Sequence, residues 1–165
     1  MVKKLWPVGG NRVVGNPNNK YAGYFGLSRN NGARWHGGVD IAANAGDQVF
    51  AFKTGVVIRA GWQNAINHNE GFGQRIVMEH KETINGQEKV TYSVYAHLKD
   101  INVEIGQSIE EGQEIGRVGR TGNVMRSQDT HLHFEIRKDV YPGNSRDNLN
   151  PSDQFGTWDK IKTFF

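Results

Sequence analysis

Apolar and polar residues alternate with a period of two in short runs along this chain, and glycine separates one run from the next. Side chains of a strand point alternately to its two faces, so such runs mark half-buried strands; a helix would repeat its apolar positions every three or four residues. The runs predict strands over 49–52, 55–60, 74–80, 89–97, 114–118 and 131–137, with Val, Ile, Phe and Tyr at the strand-favouring positions. Asn85-Gly86 is the clearest hairpin signal, because a two-residue turn of the right twist requires positive φ at its central positions. The expected class is therefore all-β, mainly antiparallel sheets with long loops. Two similar stretches, Gly46-Asp47-Gln48-Val49 and Gly106-Gln107-Ser108-Ile109, read as paired turns of one sheet and not as tandem domains. Residues 1–30 carry many Asn and Gly and little periodicity, and are expected to be loops over one rim. The tail is irregular until 157–165, where Trp158, Ile161, Phe164 and Phe165 are spaced to pack a short amphipathic turn onto the domain.

Composition narrows the chemistry. A chain of 165 residues is most simply one domain, long enough to bury about 70% of its unfolded surface and hold a rigid site. There are no cysteines, which excludes a disulfide framework, a thiolate metal site and a cysteine nucleophile together. Any metal must sit on His, Asp or Glu. The formal net charge of +3 comes from scattered Lys and Arg, which suits an anionic surface without demanding nucleic acid. No run is apolar and long enough for a signal peptide or a membrane span.

Three short segments carry the candidate chemistry: His36-Gly37-Gly38-Val39-Asp40, Tyr95-Ala96-His97-Leu98 and His131-Leu132-His133-Phe134-Glu135. Imidazole nitrogen and carboxylate oxygen both suit Zn²⁺, and a catalytic zinc takes three protein ligands and keeps one position open for water. Strand alternation puts His131 and His133 on one face, with Leu132 and Phe134 on the other. Gly37-Gly38 would let the backbone curl so that His36 and Asp40 reach one ion. Each segment alone is compatible with a solvated surface; the conjunction points to a hydrolytic metal site.

With these residues in order, the chain resembles the M23 family of zinc metallopeptidases, the lysostaphin and LytM type, which cut peptide bonds in bacterial peptidoglycan. The resemblance runs from Gly26 to Pro151, through Arg34-Trp35-His36-Gly37-Gly38-Val39-Asp40, Gly55-Val56-Val57-Ile58-Arg59-Ala60-Gly61-Trp62, Tyr95-Ala96-His97-Leu98 and His131-Leu132-His133-Phe134-Glu135-Ile136, to Asn150-Pro151. It implies a β-sandwich-type catalytic domain occupying 1–165, with 1–25 an N-terminal loop segment, 26–151 the core and 152–165 a tail. It also implies that His36, Asp40 and His133 bind one Zn²⁺ while His97 and His131 are catalytic in metal-assisted amide hydrolysis. Partners would be stem or cross-bridge peptides of peptidoglycan, met at the cell wall by a monomer. The missing signal peptide fits a phage-type lysin or a domain excised from an exported protein. Some members of the family have lost their ligands and act as activators of other wall hydrolases, a reading that the intact ligand set here opposes. A biotinyl-type β domain, suggested by the glycine echo, would not need His36, Asp40 and His133 together.

The remaining signals divide between packing and groove. Glu135 could orient His133 from behind, but a solvated or ion-paired strand residue is the plainer expectation. His68, in a polar loop, is expected in solvent, and His80 at a surface or strand edge. Trp35 and Trp62 are expected to pack in the core in preference to stacking on substrate. Residues 123–130 form a loop longer than usual in the family and read as a groove wall, and the polar segment Gln63–Glu70 has no family counterpart.

Overall fold

The computed structural model describes residues 7–9, 13–15, 19, 22–124, 126, 128–141 and 144–154. Ten strands run through these residues: β1 (Gly26–Arg29), β2 (Arg34–His36), β3 (Val39–Ala42), β4 (Gln48–Phe50), β5 (Gly55–Trp62), β6 (Gln74–Ile84), β7 (Gln87–Ile101), β8 (Ser108–Ile109), β9 (Glu114–Val118) and β10 (His131–Arg137). Helix among the described residues is limited to 3-10 turns at Asn30–Gly32, Ser145–Asp147 and Pro151–Gln154. The expected all-β, antiparallel class is what the chain adopts.

Eight strands form one sheet in the order β3-β10-β7-β6-β5-β8, with β9 joining the end of β7 and carrying β4 on its other edge. The β1–β2 pair stands apart as a two-stranded sheet. The hairpin joining β6 to β7 turns at Asn85 (φ 51°) and Gly86 (φ 76°), the positive-φ pair that the sequence signal required. One face of the sheet makes the core: Ile41, Val57, Ile76, Met78, Tyr95, Leu132, Phe134 and Ile136 are all buried in it, and Val49, Ile115 and Val118 of the β4–β9 arm close over the same cluster.

Residues 1–30 do more than cover a rim. Val8, Val13, Val14, Ala22 and Phe25 are buried, and 26–29 form a strand. Val13 bridges Ile41, and the Val14 N–H donates to Asp40 O at 2.9 Å, so this segment covers the edge of β3 and satisfies backbone groups there. Strands of three or four residues such as β1, β2 and β3 are too short to display a period of two. The turn expected at 157–165, with Trp158, Ile161, Phe164 and Phe165, lies outside the described residues, as does Trp6.

His80 is corrected from surface to core. It follows Ile76 and Met78 in alternation and points inward, where Nδ1 faces Thr54 O at 2.9 Å and Nε2 faces Ser93 Oγ at 2.7 Å. Burial holds its pKa below the ordinary value, so the ring is neutral. The carbonyl can only accept, which places the proton on Nδ1 and leaves Nε2 to accept from the serine.

Candidate metal centre

Register delivers most of the polar cluster to the face of the sheet turned away from the core. β10 lies between β3 and β7, with His133 opposite Asp40 on one side and Ala96 on the other. Opposed side chains of an antiparallel pair have Cβ atoms about 4.5–5.5 Å apart, so pairing alone brings the imidazole to the carboxylate. His133 Nδ1 is 2.8 Å from Asp40 Oδ1.

His36 arrives from the end of β2. The link to β3 is Gly37-Gly38, and its glycines answer to crowding more than to curvature: neither has a positive φ. A Cβ on Gly38 would sit 2.4 Å from Phe134 O, and one on Gly37 would sit 2.8 Å from Ser145 Cβ. Bare backbone at both positions lets the β2–β3 link lie against β10. His36 Nε2 then stands 3.1 Å from His133 Nδ1 and 3.4 Å from Asp40 Oδ1.

His97 reaches the same face by a β-bulge. Between Ile76↔Tyr95 and Gln74↔Leu98, β7 takes three steps against two on β6. Plain alternation after core residue Tyr95 and open-face residue Ala96 would send His97 into the core. Instead its φ of 63° turns the ring back toward the site, and Leu98 fills the core position. A left-handed non-glycine residue costs about 1–3 kcal/mol, a strain typical of functional sites.

Each ring is fixed through its outer nitrogen. His36 Nδ1 faces Tyr24 O at 2.9 Å, His97 Nδ1 faces Thr121 O at 2.8 Å and His131 Nδ1 faces Asp129 O at 2.8 Å. Carbonyls only accept, so these nitrogens carry protons, and the opposite Nε2 atoms are turned inward. His133 is anchored the other way round, with Nε2 2.8 Å from Glu135 Oε1 and Nδ1 turned inward. The inner donors His36 Nε2, Asp40 Oδ1 and His133 Nδ1 lie within 4.8 Å of one another, all on buried residues. Atoms bound at 2.0–2.1 Å to one tetrahedral ion are about 3.3 Å apart, and the observed 2.8, 3.1 and 3.4 Å bracket that spacing. This His/Asp/His set can hold a metal ion, and its nitrogen and oxygen donors suit zinc.

The electrostatics agree. Burial lowers the pKa of His36, and burial with the like charge of His133 and His131 lowers that of His97 to about 3, so both rings are neutral donors of lone pairs. Burial opposes ionisation of Asp40, yet His36, His131 and His133 around it hold the carboxyl well below the usual carboxylate range. Burial likewise opposes charge on His133, but its bonds to Asp40 and Glu135 raise it to about 9.

All five side chains singled out from the sequence therefore stand in one cluster. His131 is the outermost of the group around Asp40, with Nε2 3.6 Å from Oδ1, and its ring centroid is 5.4 Å from that of His97. Glu135 is ion-paired, as the plainer expectation allowed, but it is not solvated: it is 4% exposed and anchors His133, while Arg137 Nε (2.6 Å) and Asn148 Nδ2 (3.2 Å) donate to its other oxygen. Phe72, passed over in the sequence, stacks on His133 with centroids 5.2 Å apart, and its carbonyl accepts from the His97 N–H at 2.8 Å. Arg29, also passed over, donates to Asp40 Oδ2 at 3.0 Å. The site opens into a cleft of about 490 Å³ whose walls include Trp35, Phe72, Asn123, Val124 and Gln128. The loop 123–130 thus forms a wall, as expected, with 125 and 127 outside the described residues. Trp35 and Trp62 are half-buried and outside the core; Trp35 borders the cleft, and Trp62 stacks on the exposed His68.

A family model described as Peptidase family M23 matches residues 34–151, which contain the whole cluster. The chain belongs to peptidase family M23. Among solved M23-like structures, the catalytic domain of the antimicrobial peptidase lysostaphin from Staphylococcus simulans superposes with a TM-score of 0.58 at 31% identity, covering 81% of this chain and 86% of that one. Glycyl-glycine endopeptidase ALE-1 of Staphylococcus capitis is 32% identical over 116 residues, 70% of this chain and 28% of that protein. Murein hydrolase activator NlpD of Escherichia coli K12 is 35% identical over 114 residues, 69% of this chain and 24% of that protein. The chain thus matches about a quarter of the length of these two relatives. Among the described residues, no helix is long and apolar enough to cross a membrane.

Proposed function

We propose that this chain is a zinc-dependent endopeptidase that hydrolyses peptide bonds in bacterial peptidoglycan and so acts at the cell wall. His36, Asp40 and His133 hold the ion in this reading, and His97 and His131 handle protons. The observation that carries it is the convergence of three anchored ligand atoms at tetrahedral spacing, with the inward-turned ring nitrogens of His97 and His131 beside them on the cleft. Zinc held there supplies Lewis acidity for the scissile carbonyl and makes a hydroxide nucleophile accessible near neutral pH. His131 and His97, locked by Asp129 O and Thr121 O, take the proton of the attacking water and return it to the leaving amine. Phe72 excludes water from one flank of His133, and Trp35 borders the run of the peptide. Arg29 holds Asp40 from its outer oxygen, which leaves Oδ1 free for the ion.

Glu135 tunes the centre through His133. Hydrogen-bond partners behind a metal-bound imidazole are worth 10–100-fold in affinity. Glu135→Gln keeps an acceptor for His133 but loses the charge, so zinc affinity is expected to fall about 10–100-fold in competition with a chromophoric chelator; unchanged affinity would remove Glu135 from the centre.

A relative named as a murein hydrolase activator supports a second reading, that of a non-catalytic activator module. Purified peptidoglycans of different crosslink chemistry, incubated with the zinc-loaded protein with and without chelator, separate the two. New termini identified by mass spectrometry and lost with chelator are expected, and their identity reports whether a glycine bridge or a stem crosslink is cut. Cleavage of none of them, with stimulation of a separate wall hydrolase, would establish the activator instead.

A further inference from the structure

A second, smaller cavity opens on the same sheet face, one strand pair away from the metal centre. It encloses about 100 Å³, the liquid share of about three waters, and is walled by Arg59, Arg75 and Arg137 above Val77 and Val94. Its floor is continuous with the centre: Val77 pairs with Val94, and Val94 pairs with Glu135. Val77 and Val94 are buried yet stand outside the core cluster, because they point to this face. Arg59 reaches the cavity through a bulge. Between Val57↔Met78 and Arg59↔Val77, β5 takes two steps against one on β6, which swings the guanidinium from the core side to the open side.

The lining is electrically lopsided. Among the described residues it holds three guanidinium groups and no carboxylate. Arg137 is answered by Glu135 at 2.6 Å. Arg59 donates to Ile58 O at 2.7 Å and to the Tyr141 hydroxyl, neither of which is charged. Arg75 is half-buried, and its side chain makes no hydrogen bond or ion pair with any described residue. Its pKa is lowered by burial and by the neighbouring charge of Arg59, but an arginine does not discharge at ordinary pH. An anion from outside would relieve the repulsion.

We infer that this cavity is a carboxylate-binding subsite for the substrate peptide, with Arg75 and Arg59 as its cationic walls and Val77 and Val94 as its floor. A planar guanidinium matches a carboxylate through paired N–H donors. The apolar floor suits the carbon that bears the carboxylate better than it suits a free inorganic ion. Phe72 lines this cavity and the catalytic cleft alike, and its ring stacks on His133, so an occupant belongs to the molecule whose amide lies at the centre. The inference rests on the peptidase reading for its substrate but on the arginine geometry for its chemistry.

Two measurements test it. The first compares kcat/KM for a matched pair of cleaved peptides, one ending in a free carboxylate and the other in a carboxamide. A charged hydrogen-bonded pair predicts a preference for the acid of about tenfold or more in the parent protein, collapsing toward unity in Arg75→Gln and in Arg59→Gln. Equal rates in the parent, or a preference that survives both substitutions, would overturn the subsite while leaving the peptidase reading intact. The second needs no turnover: N-acetylglycine, N-acetylglycinamide and inorganic phosphate are titrated while the arginine Nε–H signals are followed by ¹H–¹⁵N NMR. The acid alone is expected to move the Arg59 and Arg75 signals, an effect lost in Arg75→Gln. Equal response to the amide, or tighter binding of phosphate, would overturn the carboxylate assignment. If the acid binds as expected and no peptide is cut, the subsite stands and the peptidase reading fails.

Discussion

His133→Ala is expected to leave the protein without stoichiometric zinc and without measurable hydrolysis of peptidoglycan. His133 is the hub of the centre: its inner nitrogen faces Asp40 at 2.8 Å and His36 at 3.1 Å, and its outer nitrogen faces Glu135 at 2.8 Å. Truncation removes one of three donors, and the two that remain cannot hold a borderline cation against water. It also leaves Asp40 and Glu135 as buried carboxylates without their shared imidazole. Arg29 and Gln128 still donate to Asp40, and Arg137 and Asn148 still donate to Glu135, so the fold itself is expected to survive. Elemental analysis after dialysis against trace zinc, with circular dichroism as the check on folding, decides the matter. A folded variant that retains one zinc per chain would sink the ligand assignment.

How much of this was legible beforehand depends on what each residue answers to. The long strands and the Asn85-Gly86 hairpin answer to local chemistry, alternation and turn geometry, and the sequence reports both. His80 was legible too, since it continues the inward alternation of Ile76 and Met78; its polarity concealed a buried serine partner on β7. Glu135 shares parity with His131 and His133, so its face was predictable, but its burial depends on Asn148 and Arg137 reaching it from a later loop and the end of its own strand. His97 was singled out with the other histidines, but its catalytic role came only from the family resemblance. Its orientation comes from a bulge, a register event between two strands that no local pattern encodes. Arg29 and Phe72 reach the centre through tertiary contacts between segments distant in sequence, and the roles of Gly37 and Gly38 appear only once β10 and the 145–148 loop lie against them. Local rules therefore gave the faces, and tertiary contact gave the neighbours.

The second large effect separates two histidines that the sequence presents as equivalents. His131→Ala is expected to keep its zinc and lose about 10²–10⁴-fold in kcat, the worth of a positioned acid–base group. A single residue, Leu132, parts it from His133 on the same strand face, yet the surroundings differ. His133 stands between two carboxylates with its Nδ1 inside the donor set; His131 is tethered to the backbone carbonyl of Asp129, and its Nε2 stays 3.6 Å from Asp40 Oδ1, at the margin of that set. Removing His131 therefore strips no donor from His36, Asp40 or His133. His97→Ala is expected to behave alike, for its nitrogen is turned to the cleft by Thr121 O and it faces His131 edge-on. If the two rings serve one proton transfer, the double variant costs little more than either single one, because residues that act as a unit are not additive. Multiplying losses would mean separate steps, one ring for the attacking water and the other for the leaving amine. Loss of zinc from His131→Ala would move that residue into the ligand set, and full activity would strip it of any catalytic role.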